Sequence, residues 1–141
     1  MNELAMARRC AEKMWASDSA SKALGIEIDI REAGSATARM RVREDMVNGF
    51  DVCHGGLLFA LADTAFAFAC NAYDRVTVAG SANIEFLRPA MRGDALIANA
   101  TEDYRGRRSG YYTVNVENQN GEAVALFRGR CVSRDEPVLD D

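Results

Sequence analysis

Histidine is almost missing from this chain: His54 is the only one in 141 residues. A reaction needing two imidazoles, one as acid and one as base, has nowhere to find them. Cysteine is present without pattern. Cys10, Cys53, Cys70 and Cys131 are widely scattered and form no CxxC pair, which excludes a zinc site or a disulfide framework and suits reduced thiols. The N-terminus lacks the unbroken apolar core and small-residue cleavage site of a secretory leader, so the chain is expected in the cytoplasm. No apolar run has the length of a comfortable membrane span; the longest, residues 57–70, is short for the purpose and carries Asp63 near its middle. Net positive charge is also lacking. A net charge of -4 and a pI near 5.1 exclude non-specific nucleic-acid binding, which draws its affinity from neutralised phosphates. Lysine occurs only at Lys13 and Lys22, so the positive charge is carried by arginine, whose planar fork suits discrete phosphate groups. There are no internal repeats and no low-complexity tracts.

With 48% hydrophobic residues, the chain can fill one core, and residues 1–141 are read as a single domain. Leu4, Ala7, Ala11, Met14 and Trp15 recur at helical spacing, and Ser17-Asp18-Ser19 ends that helix and caps a further turn. Ile26, Ile28 and Ile30, then Ala36, Ala38, Met40 and Val42, alternate with polar residues and predict a hairpin with one buried face. From His54 to about Asn71 alternation vanishes and alanine is frequent, which predicts a helix buried on most sides. Four strands are expected beyond it, at 76–86, 95–104, 111–118 and 123–133, punctuated by Gly93-Asp94, Gly106 and Asn120-Gly121. The acidic tail from Asp135 to Asp141 is expected to fray. The simplest packing of these parts is α+β, an antiparallel β-sheet wrapped around one long central α-helix.

The chemistry gathers at that helix. His54-Gly55-Gly56 opens it, and Asp63 follows nine positions after the histidine as the only charge between Gly55 and Asn71. An ionised carboxylate in apolar surroundings costs several kcal/mol or takes up a proton, so a buried aspartate demands a reason. Gly55 and Gly56 at a helix start offer unpaired amides, a favourable dipole and close approach for a developing oxyanion. Asp63 can act as a nucleophile, giving a mixed anhydride, or as a base toward water, and both remain open. Eight residues separate Gly55 from Asp63, about 12 Å along a helix, more than an aspartate side chain spans. One reacting carbonyl that meets both groups must therefore draw them from two chains, which predicts an antiparallel two-fold dimer with two equivalent sites. Cys53 beside His54 has no activating constellation and is not expected to be a nucleophile.

The stretch Asn48-Gly49-Phe50-Asp51-Val52-Cys53-His54-Gly55-Gly56, then Leu61-Ala62-Asp63-Thr64-Ala65-Phe66-Ala67, then Ile84-Glu85-Phe86-Leu87-Arg88-Pro89 resembles the hotdog-fold thioesterases, most closely their PaaI-like branch of phenylacetate degradation. Gly106-Arg107-Arg108-Ser109-Gly110 and Val124-Ala125-Leu126-Phe127-Arg128-Gly129 extend the resemblance over nearly the whole chain. HGG alone is a weak signal. Joined to an acid nine positions later and a following FLRP, it is specific.

The resemblance implies the hotdog fold and hydrolysis of an acyl-coenzyme A thioester without metal or redox cofactor, in a homodimer or dimer of dimers (a homotetramer). It implies that Asp63 is nucleophile or base, that the Gly55 amide polarises the carbonyl, that His54 and Asn48 shape the site, and that Ser81 positions water or carboxylate. One departure concerns Ser17, where related sequences can carry asparagine, and any substrate role there stays open. Coenzyme A brings phosphates; Arg105, Gly106, Arg107, Arg108, Ser109 and Gly110 are the candidates to meet them, with Gly56 and Arg88 as further substrate contacts. The expected substrate is phenylacetyl-CoA or a ring-hydroxylated relative from aromatic catabolism. The alternatives are a thioesterase for short or medium aliphatic acyl groups and a non-catalytic acyl-CoA binding module; a dehydratase of hydroxyacyl thioesters is disfavoured by the single histidine.

Overall fold

The computed structural model describes residues 1–140. Helix α1 (Glu3–Ala16) starts where the Asn2 side chain accepts the Ala5 amide at 2.7 Å, and α2 (Ser19–Ala23) where Asp18 accepts that of Ser21 at 2.9 Å. Strands β1 (Glu27–Asp29) and β2 (Ser35–Arg41) form the expected hairpin, with Ile28 opposite Ala38. The long helix α3 (Gly55–Cys70) follows, then β3 (Thr77–Phe86), β4 (Ala95–Arg105), β5 (Ser109–Glu117) and β6 (Ala123–Ser133). The strands make one six-stranded sheet in the order β1-β2-β4-β5-β6-β3, antiparallel throughout. This is the expected α+β arrangement, and its sheet curls round α3.

Small and branched side chains explain how close the helix lies. Ala36, Ala38, Ala98 and Ala100 are buried on β2 and β4, while Val114, Val116 and Phe127 are buried on β5 and β6. The Phe66 ring is pressed onto β6 at Gly129, where a Cβ would come within 2.7 Å of it. Phe66 also meets Tyr112 and Phe127, each with ring centroids 5.6 Å away, and Phe59 packs on Phe127 at 5.4 Å. Full burial of one such ring contributes about 1.5 to 3 kcal/mol. Strand β3 stands apart from this pattern. It closes the sheet at one edge, is bulged between Ala79 and Ser81, and leaves most of its residues exposed, ending at the exposed Phe86, with the exposed Leu87 just beyond.

The tail does not fray. Arg134 donates its amide to the Val76 carbonyl at 2.8 Å, the Val76 amide donates to Glu136 at 2.9 Å, and the Leu139 amide donates to Asp74 Oδ1 at 2.9 Å. Leu139 is buried, and Lys13 of α1 forms an ion pair with Asp140. One apolar anchor, two backbone–backbone bonds and one bond to a carboxylate outweigh the solvation of the acids around them; Asp141 lies outside the described residues. At the other end of α3, Asn71 clamps helix to strand. Its amide donates to the carbonyls of Ala67 and Thr77, both at 2.9 Å, and its Oδ1 accepts the Thr77 amide at 2.8 Å. Asn71→Ala leaves the buried Thr77 amide without a partner, and urea unfolding is expected to show a loss of about 2 to 3 kcal/mol; an unchanged midpoint would contradict the clamp.

Candidate active site

A tightly bonded loop delivers the chain to α3. Asn48 Oδ1 accepts the amides of Phe50 (2.9 Å) and Val52 (3.4 Å), the Asn48 amide donates to the Val52 carbonyl at 2.8 Å, and Asp51 takes a φ of 60° to close the turn. The His54 amide donates to the Met46 carbonyl at 2.8 Å. His54 is then the N-cap: its Nδ1 accepts the Gly56 amide at 2.9 Å and its carbonyl accepts that of Leu57 at 2.9 Å. An accepting Nδ1 places the proton of the neutral ring on Nε2. Among the described residues, the Gly55 amide alone in this first turn donates to nothing. It carries the positive end of the helix dipole, and its missing side chain matters because a Cβ would stand 3.3 Å from the Phe86 ring.

Asp63 sits farther along the same helix in a cavity of about 480 Å³. Phe66, Ala67 and Cys70 of α3, Val78 and Ala79 of β3, Met14 of α1 and Val138 of the tail line it, so its walls are largely apolar. Among the described residues the Asp63 carboxylate accepts no hydrogen bond and pairs with no cation. Burial therefore acts on it without compensation and raises its pKa above the ordinary 3.8. A partly buried carboxylate left without a partner in a cleft is a candidate base or nucleophile. Cys53 is different. Burial pushes its thiol up to about 11, which keeps it protonated at neutral pH and removes it from contention as a nucleophile.

Residues 50–125 match the family model described as "Thioesterase superfamily". The chain belongs to the thioesterase superfamily. It is 46% identical over 120 residues, 85% of its length and 86% of the relative's, to the acyl-coenzyme A thioesterase PaaI of Escherichia coli K12. The solved structure of E. coli PaaI, a protein from the phenylacetic acid degradation operon, superposes with a TM-score of 0.94 at 41% identity, covering 96% of this chain and 99% of that one. A variant of the Thermus thermophilus phenylacetic acid degradation protein PaaI gives a TM-score of 0.76 at 35% identity, over 82% and 98%. The curled sheet around α3 is thus the hotdog fold.

The remaining expected site residues of this thioesterase divide between the two ends of α3. At the Gly55 end, Arg88 forms an ion pair with Glu122 at 3.1 Å. At the Cys70 end, Arg105 to Gly110 make the β4–β5 turn, closed by the Gly106 amide donating to the Ser109 carbonyl at 2.8 Å. Arg105 does not reach outward: its guanidinium lies 3.7 Å from the Tyr73 ring centroid and its Nε 3.7 Å from Glu102. Arg107 and Arg108 use backbone carbonyls to hold Arg75 and Ser133, and their guanidinium groups pair with nothing among the described residues. Gly110 is a packing glycine, since a Cβ would meet the Cys131 sulfur at 3.1 Å. Gly56 is bound to the His54 cap, which spends its amide. Ser81 pairs in register with Arg130 and lines a groove with Asn83, Tyr111 and Arg128. Its neighbour Ala82 pairs with Gly129, the residue beneath Phe66, so Ala82 faces the helix and Ser81 faces away from the Asp63 cavity of its own chain. Sequence reasoning missed Phe86 against Gly55 and the cavity walls Val78, Ala79 and Val138, which carry no chemistry of their own.

The raised pKa of Asp63 has a consequence for stability. A group whose pKa rises on folding contributes stability in full below its unfolded value and loses it as pH climbs through the folded value. Asp63→Asn cannot ionise, so at pH 7 it is expected to melt above the wild type, with the gap narrowing as pH falls toward 4; a less stable variant at pH 7 would mean that the carboxylate is held by stabilising contacts.

Proposed function

We propose that this thioesterase hydrolyses acyl-CoA thioesters bearing an arylacetyl group, phenylacetyl-CoA or a ring-hydroxylated relative, in two sites each completed by a second copy of the chain. The observation that carries the reading is the pair of unengaged groups on one helix, the Gly55 amide and the Asp63 carboxylate, about 12 Å apart by helix rise. The thioester oxygen accepts the Gly55 N–H, whose position at the helix start favours the negative charge that grows there. Asp63 from the other copy meets the carbonyl carbon. As nucleophile it forms a mixed anhydride while coenzyme A leaves as thiolate, and water then cleaves the anhydride; as base it takes a proton from the attacking water, and the tetrahedral intermediate expels the thiolate.

His54 and Asn48 serve this scheme by position: one caps the helix so that the Gly55 amide stays free, the other holds the loop that leads in. The unpaired guanidinium groups of Arg107 and Arg108 are left for coenzyme A phosphates, whereas Arg105 and Arg88 have partners already. Ser81 stands on the far face of β3 and has no part in the step at its own chain's Asp63. The scheme uses no metal and no redox cofactor. The open edge of β3 supports the shared site, because a ten-residue strand exposed on both faces invites pairing with its own copy. A dimer of such dimers is the assembly that this branch of the family suggests. Four buried free thiols and a coenzyme A substrate fit a cytoplasmic enzyme; no helix of the described residues is long and apolar enough to cross a membrane.

The acyl preference draws on the names of the E. coli and Thermus relatives. Steady-state coenzyme A release from phenylacetyl, hydroxyphenylacetyl, hexanoyl and palmitoyl thioesters is expected to favour the aromatic pair, and equal rates across the four would discard the aromatic assignment. Asp63→Ala is expected to lower release by roughly 100-fold or more; unchanged release would remove Asp63 from the chemistry, and binding without turnover by the wild type would make the protein a carrier. Mixing Asp63→Ala chains with Gly55→Val chains, each dead alone, is expected to recover about a quarter of wild-type activity, since half the dimers then hold one intact site of two. No recovery after verified exchange of chains would place both groups in one chain's site.

A further inference from the structure

We propose that Met14 of α1 and Val138 of the C-terminal tail form the end wall of the acyl pocket and set the longest acyl group this thioesterase accepts. The inference rests on the reading that Asp63 meets the acyl carbon. A group that attacks or delivers water must lie within about 3 to 3.5 Å of its target, so the substituent on that carbon continues into the space beside Asp63. That space is the cavity of about 480 Å³ already described. Benzene is held by an engineered apolar cavity of about 150 Å³; the space here is partly open in the single chain, and the second copy closes it around an aromatic ring. The near walls, Phe66, Ala67, Val78 and Ala79, belong to α3 and β3. Cys70, Asn71, Val76 and Thr77 continue those walls, and Lys13, Met14 and Val138 complete the lining from the two ends of the chain.

The end wall is fixed rather than loose. Val138 precedes Leu139, which is buried and whose amide is held by Asp74 at 2.9 Å, and two further backbone bonds tie residues 134 and 136 to Val76. Beyond it, Asp140 pairs with Lys13, the neighbour of Met14, so the tail and α1 are joined next to the two apolar side chains. Ring or chain atoms of the acyl group therefore run into Met14 and Val138, and the selectivity of the enzyme is written partly in a segment remote in sequence from the HGG run and its acid. The chemical class of ligand is an apolar acyl group with a length ceiling.

The test is a ratio, because a merely structural residue lowers all substrates together. kcat/KM for acetyl-, phenylacetyl- and decanoyl-CoA is compared in wild type, Val138→Ala, Met14→Ala and Val138→Phe, with thermal melts confirming that each variant is folded. The two truncations are expected to raise the decanoyl-to-phenylacetyl ratio about tenfold, the scale on which a pocket discriminates by one or two methylenes. Val138→Phe is expected to lower phenylacetyl-CoA turnover about tenfold or more while sparing acetyl-CoA. Should either truncation fail to fold, the enlarged side chain still decides the matter, and the reverse holds for Val138→Phe. Parallel changes across the three substrates, or none, would overturn the wall while leaving the thioesterase reading intact. A wild type that releases no coenzyme A from any of them would overturn that reading and the wall with it.

Discussion

The rise of an α-helix is the constraint on which this molecule turns. Gly55 and Asp63 belong to one rigid rod and are kept about 12 Å apart by it, a separation that no side-chain rotation can close. In the proposed mechanism the Gly55 amide and the Asp63 carboxylate act on one thioester, and that requires a second helix to bring them together. Several otherwise separate features then become parts of one arrangement: the sheet that curls round α3 but leaves β3 open, the exposed Phe86 laid against Gly55, and the cavity that exposes Asp63 at the β3 side.

Both halves of the proposed site are shaped by their surroundings. At the helix start His54 takes up the Gly56 amide and the Leu57 amide, so the first turn is capped without the Gly55 N–H being consumed. Along the helix the opposite strategy applies. Among the described residues Asp63 is given no hydrogen bond, and apolar walls raise its pKa, which makes the carboxylate more basic at a cost in folding stability. The contrast with Glu102 is instructive. That carboxylate accepts hydroxyl hydrogen bonds from Tyr73 at 2.8 Å and Tyr112 at 2.9 Å, and it knits strands together instead of waiting for a substrate.

The elements were legible because their signals are local. Alternation at Ala36 to Val42 and alanine frequency from Leu57 to Cys70 report directly on which faces are buried, and the strands lie within about two residues of their expected limits. His54, Gly55 and Asp63 stood out because ionisable and conformationally free residues are rare in that stretch. What escaped depends on contacts across the fold. Nothing near Arg105 announces that it will stack on Tyr73, and nothing near Gly56 announces that its amide will be taken by a neighbouring imidazole. The run Val78-Ala79-Gly80-Ser81-Ala82 is small throughout, so it does not tell which face Ser81 takes, and a bulge at Gly80 alters which residues look inward. The acidic tail was misjudged for the same reason: the burial of Leu139 is decided by Asp74 and Val76, far from it in sequence.

The two margins of the sheet are unequal, and that inequality bears on how copies can combine. Strand β1 offers only three residues, two of them the charged Glu27 and Asp29, whereas β3 offers ten. Were both margins long, one copy's β1 could add to another's β3 in head-to-tail fashion, and the sheet would propagate into a filament without a natural end. In the proposed dimer, with β1 too short to template a neighbour, the long margin recognises its own counterpart. Such a union is self-limiting, because the strand that makes it is used up by making it.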